Sequence, residues 1–215
     1  FKNIRQLTDG GDNAEAYFSF DGSLLTFQSN AEKWSNRCDQ IYAFNWNTDT
    51  ILEQEPQMIS NGLGRTTCAY FLPGDTTILY ASTFTGDSAC PAVPERGEGG
   101  AYVWPIYEDF DIYVSDLKGN LIDTLISGPG YDAEATVSPN GEHIVFTSSR
   151  SGDLELYVCD IDGSDIKQVT SGLGYDGGAF FSPDSKKLVF RSSRPHTKEE
   201  VDKYKGLFQK GLVEP

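Results

Sequence analysis

Four stretches of this chain superpose without a gap: AYFSFDGSLLTF from Ala16, AYFLPGDTTILY from Ala69, ATVSPNGEHIVF from Ala135 and AFFSPDSKKLVF from Ala179. Each begins with alanine and ends on an aromatic ring, Phe27, Tyr80, Phe146 or Phe190. In the middle stands a pair suited to a tight turn: Asp21-Gly22, Gly74-Asp75, Asn140-Gly141 or Asp184-Ser185. Such residues supply the positive φ that a short hairpin needs, so every stretch reads as strand, turn, strand. Three are followed by a second hairpin. Its first strand is QIYAFNW (40–46), DIYVSDL (111–117) or ELYVCDI (155–161), its turn lies at 47–49, 118–120 or 162–164, and it ends in QMIS (57–60), TLIS (124–127) or KQVT (167–170). RQLT (5–8) is a fourth copy of that ending, and from each ending to the next alanine the spacing is 8, 9, 8 and 9 residues.

Four antiparallel strands recurring about every 40–45 residues are the signature of a β-propeller. The alanine-to-alanine steps are 53, 66 and 44 residues. The longest step holds an insertion, 83–109, between the second and third strands of its blade. We therefore expect an all-β chain of about four four-stranded blades with repeats starting near 16, 69, 135 and 179. Residues 1–215 would form one propeller domain or part of a larger one, because RQLT reads as the outer strand of a preceding blade and the fourth unit shows two strands before a tail. In that tail Val201, Tyr204, Leu207 and Phe208 have helical spacing, and Thr197 with Glu200 resembles a capping box, which predicts a helix over 197–210.

Aromatic residues make up 13% of the chain and Met occurs once, a composition that suits half-buried pleated surfaces. The net charge of −15 repels phosphate backbones, so nucleic acid is not an expected partner. No apolar run approaches the roughly 18 residues of a membrane-spanning helix, so no transmembrane segment is expected. The chain opens on FKNIRQLT without a signal peptide; an export signal would have been removed or would lie outside it. None of the four cysteines forms a CxxC pair, which argues against structural zinc. In an oxidising compartment they would allow a disulfide. Cys38, Cys68 and Cys90 map to one face of two adjacent blades, so Cys38–Cys90 is the first choice, Cys68–Cys90 the second, and Cys159, in a strand interior, is expected to be free. Four free thiols is the alternative.

The stretch SPNGEHIVFTSSRSGDLELYVCDIDGS resembles the TolB-like, WD-type propeller repeat, with its Ser-Pro-Asp-Gly turn, Ser-x-Arg-x-Gly and closing Asp-x-Asp-Gly. The last two repeats match closely and the first well; the second departs, with Leu72-Pro73-Gly74-Asp75 at the turn. GRTTCAYF, ACPAVPERG, YVWPIY, GYDAEATVSP and GYDGGAFFSP resemble an exported bacterial TolB-like subfamily. The resemblance implies a periplasmic or extracellular bacterial protein. It would be a non-catalytic cell-envelope scaffold binding a protein, peptide or glycan, with envelope-associated partners. The alternative is the propeller part of a prolyl-oligopeptidase-type hydrolase whose catalytic domain lies outside this chain.

In a propeller the first strand of each blade lines the channel. Four connectors, GGDNAE (10–15), GLGRTTC (62–68), GPGYDAE (128–134) and GLGYDGG (172–178), would converge at one mouth. They bring Asp12, Asn13, Glu15, Arg65, Thr67, Asp132, Glu134 and Asp176 together as a candidate ligand site. No motif implies a cofactor. Clustered oxygens suit a hard cation such as Ca²⁺, with Asp132 and Glu134 as its ligands, although solvated connectors with turn-capping Asp and Asn give the same pattern. GLGYDG formally matches GxGxxG, but a strand follows it where a dinucleotide site needs a helix. No GxSxG elbow occurs, and neither His143 nor His196 has a motif-level Ser or Asp partner, so no catalytic residue is assigned. Arg150 and Arg194 end equivalent strands in Ser-Ser-Arg triplets, which predicts an ion pair to a neighbouring blade. Tyr102, Trp104 and Tyr107 give the insertion an aromatic character suited either to binding or to covering the edge of its own blade.

Overall fold

The computed structural model describes residues 2–34, 38–46, 50–92 and 102–214. The first sheet has the order β1 (Asn13–Phe18), β2 (Leu24–Ser29), β3 (Gln40–Asn45) and β4 (Gln57–Met58). Next come β5 (Thr66–Phe71) and β6 (Thr77–Ser82), then β7 (Trp104–Pro105) within the insertion, then β8 (Asp111–Asp116) and β9 (Leu121–Ile126); the second sheet runs β5-β6-β8-β9. The third consists of β10 (Asp132–Val137), β11 (His143–Ser148), β12 (Glu155–Asp160) and β13 (Lys167–Gln168). β14 (Asp176–Phe181) and β15 (Leu188–Ser192) pair alone, as half a blade. The helix α1 (Lys198–Phe208) follows, and β16 (Leu212–Val213) pairs antiparallel with β7.

The four inner hairpins turn where the repeat places them. Gly22, Asp75, Gly141 and Ser185 donate their N–H groups to the carbonyls of Ser19, Leu72, Ser138 and Ser182, and all four take positive φ. The outer turns at 118–120 and 162–164 close through Gly119 and Gly163; the turn expected at 47–49 lies outside the described residues. RQLT departs from expectation: residues 5–8 take no strand, and Leu7 and Thr8 instead line a cleft against Phe27 and Phe44.

The inner strands begin three residues before the repeated alanines, and a bulge explains the offset. Glu15-Ala16 together oppose Phe27, Cys68-Ala69 oppose Tyr80, Glu134-Ala135 oppose Phe146, and Gly178-Ala179 oppose Phe190. The first residue of each pair has φ of 51°, 50°, 57° and 58°. That conformation costs an L-residue roughly 1–2 kcal/mol, which only Gly178 escapes. The bulge re-aims these side chains, as bulges commonly do near sites.

Successive sheets share backbone bonds and apolar clusters. The N–H groups of Thr66, Asp132 and Asp176 donate across each junction to the carbonyls of Asp39, Phe110 and Leu154, at 3.0, 2.9 and 2.9 Å. Ile41, Ile59, Ile78, Tyr80 and Tyr113 fill the space between the first two sheets; Val145, Leu156 and Ala179 fill that between the third sheet and the half-blade. On the axis the rings of Tyr17, Tyr70 and Phe180, from β1, β5 and β14, meet at 5.4 and 5.6 Å. The arc is open at its ends. Phe27, Tyr80 and Phe146 are buried, whereas their equivalent Phe190 is 38% exposed and Val189 beside it 68%.

The tail helix starts as predicted. The Thr197 hydroxyl accepts from the Glu200 N–H while the Glu200 carboxylate accepts from the Thr197 N–H. Tyr204 is buried and its hydroxyl donates to Asp153, in the turn before β12. Thr197→Ala should cost about 1 kcal/mol, read as a lower urea midpoint with an unchanged slope.

Candidate functional site

The residues that precede the inner strands lie on one face of the arc, and the described parts of the insertion, 83–92 and 102–109, contact them. The first part is held by the Gly64 N–H donating to the Ser88 carbonyl at 2.9 Å. The Arg65 guanidinium lies 6.0 Å from the Tyr107 ring. Phe110 meets Tyr131 edge-on at 5.7 Å, and Trp104 meets Tyr175 edge-on at 6.0 Å. Gly64 and Arg65, Tyr131, and Tyr175 precede β5, β10 and β14 respectively, so the insertion touches two of the four connectors and Phe110, directly after it, touches a third. Cys90 forms a disulfide with Cys38, which precedes β3 of the first blade; Cys68 and Cys159 are free. At the other end β7 is paired to β16 of the tail. The described parts of the insertion are thus fastened to the first blade through Cys38 and to the tail through β16, and do not merely cover the edge of their own blade.

The bulge side chains meet beneath it. Glu134 is buried. Its carboxylate accepts from Thr147 Oγ1 at 2.7 Å, from Gly178 N at 2.8 Å, from Tyr175 Oη at 2.9 Å and, at 3.4 Å, from Tyr131 Oη. Burial pushes the carboxyl above its ordinary range, with these donors opposing and Glu15 adding to the rise. The Cys68 thiol is raised well above its ordinary value, first by burial and then by Glu15 and Glu134, so Cys68 stays a thiol at neutral pH. Glu15 is exposed and accepts from the Tyr17 hydroxyl.

The other candidate residues sit at the blade junctions. Asp132 is buried, and both its oxygens lie 2.9 Å from Arg150 Nη2. Asp176 is buried and pairs with Arg194 Nη2 at 2.5 Å. Both arginines therefore pair within their own blade and not with a neighbour. The reason is antiparallel geometry: each follows the end of β11 or β15, which lies beside the start of the inner strand. Among the described residues the ion pair that does cross a junction is Arg65 to Asp39, 3.1 Å. Burial raises the Asp39 carboxyl, with Arg65 opposing. Thr67 donates to Gln28 at 2.8 Å, and Asn13 donates to the Gly10 carbonyl while accepting from Ser29. Glu15 and Glu134 thus share a neighbourhood around Cys68; Asp132 and Asp176 occupy separate junctions. Both oxygens of Asp132 accept from Arg150, and those of Glu134 from Thr147, Gly178 and the two tyrosines. Among the described residues no group of three or more His, Cys, Asp or Glu is placed to hold a metal ion.

The description "TolB beta propeller domain" belongs to the family model that matches residues 88–199. The chain belongs to the TolB β-propeller family. Among solved structures the TolB-like chain is similar to a putative TolB from Agrobacterium tumefaciens, with 22% identity, a TM-score of 0.61, and cover of 88% of this chain and 59% of that one. TolB from Acinetobacter baumannii gives 18% identity, a TM-score of 0.61, and cover of 87% and 39%. Hydrazine synthase from Kuenenia stuttgartiensis gives 14% identity, a TM-score of 0.62, and cover of 89% and 31%. At these identities the likeness speaks for the fold, and the chain spans less than two thirds of each of these structures. No curated protein matches the chain. Among the described residues no helix is long and apolar enough to cross a membrane.

Tyr131, Tyr175 and Thr147, which hold Glu134, are absent from the sequence-derived site. The tyrosines had a signal: GYD occurs at the same place in two repeats, directly before β10 and β14.

Proposed function

We propose that this TolB-like propeller is an exported scaffold of the bacterial cell envelope, periplasmic or extracellular, that binds a protein, peptide or glycan at the mouth of its inner strands. The observation that carries the reading is the pair of fastenings, Cys38–Cys90 and β7–β16, that hold the described parts of the aromatic insertion beside the starts of the inner strands. They leave Tyr102 65% exposed, with its ring set edge-on against Trp104 at 6.0 Å. Rigid aromatics on a fixed platform bind at low entropic cost, which is why such residues dominate binding hot spots. We assign the contacts of the ligand to Asn13, Glu15, Arg65 and Thr67, the half-buried or exposed members at the rim, together with Tyr102. Asp132, Glu134 and Asp176 form the wall behind them. The disulfide supports an oxidising compartment.

Immobilised wild-type chain, and Tyr102→Ala and Glu15→Ala variants with unchanged circular dichroism, are challenged with a glycan array and with fractionated envelope proteins. A ligand held by the wild type and weakened about 10- to 30-fold by either variant supports the reading. Equal retention by all three chains, or retention by none, overturns it.

A further inference from the structure

The first residue of the third strand plays the same part in all three complete blades. Gln40 Oε1 accepts from Ser60 Oγ at 2.7 Å and from Gly62 N at 3.1 Å. Asp111 Oδ1 accepts from Gly128 N at 3.3 Å. Glu155 accepts from Thr170 Oγ1 at 2.6 Å and from Gly172 N at 2.8 Å. Each thereby pins the connector to the next blade. The inner strand of that next blade begins beside it, with Thr66, Asp132 or Asp176. The first junction is neutral, Gln beside Thr, and Gln40 spends its amide on the Gly64 carbonyl at 3.0 Å. The second opposes two acids, but Arg150 takes both oxygens of Asp132.

The third junction is different. Glu155 and Asp176 are 3% and 0% exposed, and the Asp176 N–H donating to the Leu154 carbonyl at 2.9 Å sets the two residues side by side at the junction. Arg194 covers Asp176 Oδ2, while Asp176 Oδ1 is enclosed without a hydrogen-bond partner. Thr170 has one hydroxyl proton, and it points to Glu155. The remaining charged and titratable neighbours are Asp153, from the turn before β12, and Tyr204, from α1, whose hydroxyl already donates to Asp153. Three carboxylates thus face one guanidinium. A buried orphan acceptor beside a second carboxylate has one economical partner, a proton shared between the two.

We propose that Glu155 and Asp176 form a proton-binding carboxyl–carboxylate pair at the junction of the third blade and the half-blade, with Glu155 carrying the proton and donating it to Asp176 Oδ1. A protonated Glu155 then both accepts from its connector and donates, as Gln40 does at the first junction, where the amide donates to the Gly64 carbonyl. The directions of titration agree. Burial raises the Glu155 carboxyl, and Asp176 adds to the rise. Burial also pushes Asp176 up, but the hydrogen bond and charge of Arg194 oppose it, and the group stays below its usual range.

The consequence is a pH dependence of stability. A carboxyl whose folded value is raised contributes stability that is complete below its unfolded value, about 4.3, and lost as pH rises through the folded value. For each unit of that rise, Tm falls by about 3–5 °C in a chain of this size. The direct reading is the ¹³C shift of the Glu155 side-chain carboxyl in the wild-type chain, followed between about pH 3.5 and 8 and assigned with Glu155→Gln. The expected midpoint lies above about 4.3, and Glu155→Gln, the neutral isostere, loses this fall in Tm over the same range. A midpoint at or below about 4.3 overturns the proposal. So does a Glu155→Gln chain that keeps the full wild-type pH slope. The titration uses wild-type protein, so the proposal stays testable if the variant folds poorly.

Discussion

Replacing Cys38 and Cys90 with serine is expected to remove about 4 kcal/mol of stability. The bridge spans a sequence separation of 52 residues, and closing a loop of that length lowers the entropy of the unfolded chain by about that amount. A TolB-like chain of this size has a total stability of about 5–15 kcal/mol, so the loss is large. It is measured as the shift in urea midpoint between Cys38→Ser/Cys90→Ser and the wild type, and again between oxidised and reduced wild type. The insertion should also become more susceptible to limited proteolysis, since the residues around Cys90 would then be held by the Gly64–Ser88 bond and by Tyr107 Oη donating to the Ala92 carbonyl. A midpoint that moves by less than the equivalent of 1 kcal/mol would show that the other contacts fasten the insertion without the bridge.

The buried Glu134 network should be as sensitive. Glu134→Ala leaves the hydroxyls of Tyr175 and Thr147 and the Gly178 N–H facing a hole in place of a carboxylate. Breaking a buried, hydrogen-bonded charge site of this kind costs about 3–5 kcal/mol. A second variant reaches the same network from the backbone. A Cβ added at Gly177 would lie 2.2 Å from Tyr175 Oη and 2.3 Å from Glu134 Oε2, so Gly177→Ala forces both side chains to move and should cost about 1–3 kcal/mol. Because both changes disrupt one network, the double variant should be less destabilised than the sum of the singles, with a coupling of about 0.5–3 kcal/mol. Strict additivity in urea unfolding would mean that Gly177 and Glu134 act separately.

These two expectations rest on different kinds of information. The Cys38–Cys90 bridge was legible as the first choice, because strand order places Cys38, Cys68 and Cys90 at one face of adjacent blades; the structure decided between it and Cys68–Cys90. The Glu134 network was not. It depends on a bulge that turns Glu134 inward, and the same bulge position carries Glu15, Cys68 and Gly178 in the other repeats, so no residue type marks it. The arginines show the same limit. Ser-Ser-Arg told that Arg150 and Arg194 do equivalent work, but which carboxylate each meets follows from the antiparallel register that sets Asp132 opposite Ser148 and Asp176 opposite Ser192.

By itself the sequence determined the all-β class, the hairpin turns at Gly22, Asp75, Gly141 and Ser185, the place of the insertion, the capping box at Thr197 and the favoured disulfide. All of these are local or repeat with a period, and turn chemistry and strand alternation act over a few residues. Tertiary structure alone decided that β7 of the insertion meets β16, that RQLT forms no strand, and that Glu155 and Asp176 are set side by side at one junction. Each of those depends on which surfaces meet when separate sheets pack, and the free energy of such contacts comes from burial and mutual geometry between residues far apart in the chain, which no short stretch of it encodes.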